Sequence, residues 1–256
     1  MFKKDFRYYF DLYYVLAQKE FKVKYKASII GYFWSVISPL IQGLVFFLAF
    51  GIFMRFPQKN YLLFLLSALY PWQWISNSLS HAPKVFLSNP ALVKKIYFPR
   101  FFMPTTNVFQ EMIHLLFALP VYFLFVLLYG LPLSPALIVY IPLMLLVTYI
   151  TVASLSVVFA YVNVYVRDLE NIIPLGLQML FFLTPVIYPV TAVPEKIRLI
   201  LYCNPFFSLI MTWRSVLLEG IMPWDSLGIA LLVALISFAF GAYTHKHLSW
   251  KLAELL

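Results

Sequence analysis

Charge is scarce in this sequence. Of its 256 residues only 11% are charged, and just ten residues are acidic. A soluble domain carries about 25%. With 63% hydrophobic residues and a mean hydropathy of +0.86, this chain lacks the polar surface that water demands. Thiols are scarcer still. The lone Cys203 excludes a disulfide within the chain and is expected to be a small packing residue. Catalytic signatures are also missing. There is no G-x-x-x-x-G-K-[ST] phosphate loop, so no ATP site is visible. There is no H-E-x-x-H and no Cys/His cluster at zinc spacing, so no metal is expected in this chain.

What is abundant is uncharged apolar chain. A helix needs about 20 apolar residues to cross roughly 30 Å of hydrocarbon. Residues 29–53 form the first such stretch and 61–79 the second. The uncharged run from Met112 to Val166 is too long for one crossing, and the Gly130-Leu131-Pro132-Leu133-Ser134-Pro135 turn signal divides it. It yields spans at 105–129 and 135–162. Further spans are expected at 172–188 and 226–245. Pro39, Pro120 and Pro142 are expected to kink their helices, which packed neighbours tolerate in a membrane. The fold class is thus an all-α membrane protein, a single transmembrane domain over residues 1–256 with six spans between 27 and 256.

The net charge of +9 does not point to nucleic acid, because the basic residues cluster between apolar runs. With the N-terminus on the cytoplasmic side, fourteen Lys and Arg fall in cytoplasmic segments and five on the opposite side. That imbalance predicts both termini to be cytoplasmic, as an even number of spans requires. Residues 1–26 do not resemble a cleaved signal peptide. Phe6, Phe10, Tyr13, Tyr14, Ala17 and Phe21 recur at helical spacing, opposite Lys4, Arg7, Asp11, Gln18 and Lys22. The spacing predicts an amphipathic helix in the cytoplasmic interface, either a plain anchor or a docking surface for a partner.

Between the fifth and sixth spans lie Pro189, Pro194, Pro205 and Pro223, with two apolar pieces, 197–202 and 206–218, each too short to cross. They either rest on the outer surface or dip into the membrane and return as re-entrant helices. Glu111, with His114 one turn on, is an ionisable pair inside a span. It serves either as an interhelical hydrogen bond or as a functional group. Aromatics make up 20% of the chain. Interfacial belts account for Tyr70, Trp72, Trp74 and Trp224. They account less fully for Tyr32, Phe33 and Trp34, or for Tyr161 and Tyr165. Flat rings stack on the apolar faces of sugars, so these five are candidates for a glycan path, with belt or core packing as the alternative.

The stretch from Glu20 through Lys22, Lys24, Tyr25 and Lys26 to Gly31-Tyr32-Phe33-Trp34, followed by Pro39-Leu40, resembles the N-terminal signature of ABC-2 type export permeases. The nearest group is the membrane subunit of exporters for O-antigen polysaccharide and teichoic acid. Further likenesses are Asn89-Pro90-Ala91-Leu92-Val93-Lys94-Lys95-Ile96-Tyr97-Phe98-Pro99-Arg100, Arg167-Asp168-Leu169, Leu183-Thr184-Pro185-Val186-Ile187-Tyr188-Pro189 and Asn204-Pro205. An Arg-Asp-Leu-like triplet usual in the family is replaced by Gln18-Lys19-Glu20-Phe21.

The resemblance implies a homodimeric permease in the inner membrane, paired with two copies of a separate ATPase that binds the ATP and Mg. This chain itself needs no cofactor. It implies ATPase coupling through Asn89, Pro90, Leu92, Val93, Lys94, Lys95 and Ile96, with Arg167, Asp168 and Glu170 as a second contact. Lys24, Lys26, Lys94, Lys95 and Arg100 are candidates to hold a lipid-linked diphosphate or anionic lipid headgroups. The implied cargo is a lipid-linked glycan. Replacing Lys94 and Lys95 by Glu is expected to impair export or its coupling to ATP turnover, and unchanged rates of both would contradict that role. Besides a structural or scaffold membrane protein, which would neither stimulate nor depend on an ATPase, two other readings stand beside it. One is an ABC-2 exporter of a small drug or lipid. The other is a membrane-embedded lipid-linked sugar transferase, for which the sequence offers few acidic residues.

Overall fold

The computed structural model describes residues 6–25, 33–55, 58–95, 98–250 and 252. Among these the regular structure is helical. Four helices are long and apolar enough to cross a membrane: Val36–Phe53, Phe102–Leu128, Leu137–Tyr165 and Trp224–Leu248. In chain order the elements are α1 (Phe6–Tyr25), α2 (Trp34–Phe46, continued by a π-helical stretch Phe47–Phe53), α3 (Tyr61–His81), α4 (Pro90–Lys95) and α5 (Phe102–Leu128). They continue with α6 (Leu137–Tyr165), α7 (Leu169–Leu183), α8 (Glu195–Arg198), α9 (Phe207–Arg214) and α10 (Trp224–Leu248).

Two stretches read as spans from the sequence depart from that simple form. The 21 residues of α3 are long enough, at ~1.5 Å per residue, to cross. They carry Gln73, Asn77 and five serines or histidines, which lowers their hydropathy below that of a lipid-facing helix. Sixteen of them are buried, because α5, α7, α9 and α2 pack around α3. A helix sheathed by protein need not be apolar all round. The 15 residues of α7 cover only about 22 Å. The helix stops because Thr184 precedes Pro185, whose ring drives Thr184 into an extended conformation at ψ 133°.

The polar groups freed by that break are met by side chains. Arg214 donates from Nη2 to the Val186 carbonyl at 2.8 Å, and the Tyr61 hydroxyl donates to the Ile187 carbonyl at 2.9 Å. Asn204 Nδ2 donates to Thr184 Oγ1 at 2.7 Å, while its Oδ1 accepts from the Phe206 amide at 3.0 Å. Arg214 is 4% exposed, and its guanidinium sits 3.8 Å over the Phe64 ring. Replacing Asn204 by Leu removes both Asn204 bonds, at an expected cost of ~2–3 kcal/mol. The check is the thermal midpoint of the purified chain, and an unchanged midpoint would contradict this role.

α6 is the central post. α10 packs along it so closely that a Cβ at Gly241 would lie 3.0 Å from the Ser154 carbonyl oxygen. α9 is inserted beside them. Its Trp213 is fully buried and donates to Thr148 Oγ1 at 2.9 Å, about 16 Å along α6 from its first residue. Gly220, at φ 67°, closes the stretch after α9 against Ser134 of the α5–α6 turn, where a side chain would collide. Cys203 is exposed in the turn before α9, not packed in the core, because the chain there runs over the surface toward Asn204.

Apolar burial falls into two clusters. The larger joins α3, α5, α6, α7, α9 and α10. The smaller occupies the end of the bundle where α1, α4, the start of α5 and the ends of α6 and α10 meet. Lys84, Lys94, Arg100, Arg167 and Lys246 also lie at this end, the basic end of the bundle.

Candidate functional site

At the basic end, α4 is a helix of six residues and too short to be stable alone. Packing holds it. Val93 is 3% exposed and shares the smaller cluster with Phe86, Leu16 of α1, and Tyr161 and Val164 of α6. Phe86 and Tyr161 stand edge to face at 5.1 Å. Asn163, fully buried near the end of α6, donates from Nδ2 to the Pro83 carbonyl at 2.9 Å, fixing the turn that leads into α4. Lys19 of α1 donates to Asn89 Oδ1 just before α4. α4 is thus joined to α6 and α1 through these packed and hydrogen-bonded side chains. Lys94 and Pro90 remain exposed on the outer side of α4, and Arg167 and Asp168 are exposed in the tight α6–α7 turn.

The second feature is a cavity of about 610 Å³ walled by α2, α3, α5 and α7. Its polar wall carries Gln42, Gln73, Asn77, Glu111 and Gln178, and its aromatic wall carries Trp34, Trp72 and Phe181. Gln73 donates to Gln42 at 2.6 Å, joining α3 to α2. Asn77 donates to Glu111 Oε2 at 3.3 Å, and His114 Nδ1 lies 3.2 Å from the same oxygen. Phe21 of α1 stands edge-on to the His114 ring at 6.1 Å. Hydrocarbon cannot satisfy side-chain amides, so such a wall suits water or a hydroxyl-bearing ligand. On either side of it, α2 and α7 turn Leu44, Leu48, Met179 and Phe182 outward, each about half exposed.

Residues 11–218 match the family of the ABC-2 type transporter. The chain belongs to the ABC-2 type transporter family. This ABC-2 chain is also 34% identical over 254 residues, 99% of its length and 98% of the relative's, to an O-antigen export system permease protein RfbA of Klebsiella pneumoniae. A relative of the same name from Myxococcus xanthus is 29% identical over 210 residues, covering 81% of this chain and 80% of that one. Family and apolar helices together make it a multi-pass membrane protein.

The residues singled out from the ABC-2 sequence are distributed over both features. Asn89, Pro90, Leu92, Val93 and Lys94 gather on and around α4, while Arg167, Asp168 and Glu170 lie in the α6–α7 turn. Lys24 lies at the end of α1 and Lys95 at the end of α4. Lys26, Tyr32 and Ile96 lie outside the described residues. Arg100 donates to the Ser249 carbonyl at the end of α10. Trp34, Glu111 and His114 line the cavity of the ABC-2 chain. Phe33 and Tyr165 are exposed. Tyr161 is enclosed in the smaller cluster, with its hydroxyl 2.8 Å from His245 Nδ1, and is not among the cavity's lining residues. The amides Gln42, Gln73, Asn77 and Gln178 were not singled out by sequence reasoning. Their signal was present as uncharged polar residues within otherwise apolar helices.

α1 also differs in detail from its sequence reading. Tyr13, Leu16 and Ala17 face the protein, but Phe10 and Tyr14 point away, 64% and 57% exposed. Its hydrophobic side is wide enough to hold two stripes, one for α5 and one for the surroundings.

Proposed function

We propose that this chain is the membrane subunit of an ATP-driven exporter that moves a lipid-linked polysaccharide, of O-antigen or teichoic-acid type, from the cytoplasm across the inner membrane. The observation that carries this reading is the near-full-length likeness to relatives named as O-antigen export permeases. In this reading α3 and α7 cross as well as the four long apolar helices, giving six spans with both termini and the basic end in the cytoplasm. α1 lies in the interface. α8 and α9 form the re-entrant pair, a role supported by the depth of the Trp213–Thr148 contact. Two copies associate, and the outward apolar faces of α2 and α7 beside the cavity favour that pairing.

A separate ATPase pair binds ATP and Mg and presses on α4 and on the Arg167–Asp168 turn. The lipid-linked diphosphate is held by Lys24, Lys26, Lys94 and Lys95, while Arg100, turned toward the end of α10, contacts an anionic lipid headgroup. The glycan then runs along the amide and tryptophan walls of the cavity. Amides donate to and accept from hydroxyls of either orientation, so passage tolerates many sugars. Movement of α4 reaches the spans only if the ATP-bound and free partners favour different permease arrangements.

Deleting the gene tests this function. Surface polysaccharide is expected to vanish while its lipid-linked precursor accumulates inside, and both are expected to be restored by the gene. Normal surface polysaccharide in the deletion strain would overturn the reading.

A further inference from the structure

A second cavity lies on another side of the bundle, between α1, α5, α6 and α10. Its volume is about 380 Å³, and apart from a few polar groups its walls are apolar, including Phe101, Ile150, Val157 and Phe238. It shares only α5 with the amide-lined cavity. Along α10 it runs from His245, near the basic end, to Phe238, about 10 Å deeper. Along α6 it runs from Val157 to Tyr149, about 12 Å. That depth lies within one leaflet, half of roughly 30 Å of hydrocarbon.

Its polar groups satisfy one another. The Tyr13 hydroxyl lies 2.8 Å from that of Tyr149, and both reach the Thr105 carbonyl, at 3.1 and 3.3 Å. The mouth is different. Phe101 packs edge to face on His245 at 5.2 Å, and the half-buried Arg100 before it reaches the Ser249 carbonyl. Lys246, exposed, follows His245. Among the described residues neither Arg100 nor Lys246 is ion-paired with a carboxylate.

We propose that this groove is a binding site for one anionic phospholipid, with an acyl chain between α1, α5, α6 and α10 and its phosphate at Arg100 and Lys246. The dimensions select that occupant. The volume equals about thirteen units of ~30 Å³, the share of one water, and a methylene is of similar size. That is one acyl chain of ordinary length and only a fraction of a long polyprenyl carrier. The depth is that of one leaflet, and the positive mouth lies where an anionic headgroup would sit. The lipid would brace α1 against the bundle at the face where α1 meets Thr105 and Tyr149. This site does not depend on what the exporter carries.

The test is native mass spectrometry of the full chain, stripped of lipid in detergent and titrated with phosphatidylglycerol or phosphatidylcholine. The expected result is one tightly held phosphatidylglycerol per chain, favoured over phosphatidylcholine by about tenfold or more. Lys246→Gln is expected to cut that preference about fivefold, the equivalent of ~1 kcal/mol for one basic residue at an anionic headgroup. Ala242→Trp, which fills the groove from its exposed side, is expected to remove the tight site for both lipids. Equal retention of the two lipids would overturn the proposal. So would an Ala242→Trp chain that holds phosphatidylglycerol undiminished, or a polyprenyl phosphate recovered from the groove of the native protein. Lipid retention is read without transport, so its failure and a failure of the export reading are separable.

Discussion

A Val93→Asp chain is expected to lose export by more than tenfold while still assembling in the membrane. Val93 is the buried anchor of α4, and its neighbours in the smaller cluster are apolar. Among the described residues, the packed neighbours Phe86, Leu16, Tyr161 and Val164 offer a carboxylate no cation, and an uncompensated charge is not buried at tolerable cost. Loss of the valine contact alone removes about 1.5–3 kcal/mol. A helix of six residues has little propagation energy to resist that, so α4 detaches locally and the larger cluster remains packed. The ATPase then turns over without moving α6. The measurement pairs surface polysaccharide with ATP turnover in reconstituted complex. Val93→Leu should retain both. Undiminished export by the Asp chain would mean that α4 is not the lever.

The second large effect is expected from Gln178→Trp. Gln178 is exposed on α7 and lines the amide cavity, so the larger ring extends into space and leaves the core intact. It replaces a hydrogen-bonding wall with a bulky apolar one on the α7 side of the cavity. Export is expected to fall at least tenfold with coupled ATP binding unchanged, because the path and not the lever is blocked. Gln178→Asn, which keeps the amide, should export near the unmodified rate. Together the two substitutions separate coupling from passage: purified Val93→Asp is expected to lose ATPase contact at α4, and Gln178→Trp is expected to keep it.

Much of the scaffold is legible in the sequence because membrane helices are set by local rules. The Gly130–Pro135 turn parts α5 from α6 within one uncharged run, and Gly130 does take a positive φ of 69°. Asn89-Pro90 marks the start of α4. Pro185 is visible as punctuation, but its consequence, a helix stopped at Leu183, depends on Arg214, Tyr61 and Asn204 arriving from distant positions to receive the freed groups. No periodicity encodes that. α3 reads as a weak apolar span because its polar residues face protein and cavity, which only the packing reveals. Tyr161 stands on α6 like an interfacial aromatic, yet Phe86 and His245 enclose it. For α1, spacing reveals amphipathicity but not which of two adjoining stripes meets α5.

A permease with no phosphate loop of its own needs a separate ATPase to drive it. The decisive measurement is affinity purification of the chain from native membranes in mild detergent, followed by mass spectrometry of what accompanies it. A stoichiometric subunit bearing a phosphate loop is expected to be retained by the chain. A folded chain that reproducibly purifies with no such subunit would contradict that expectation.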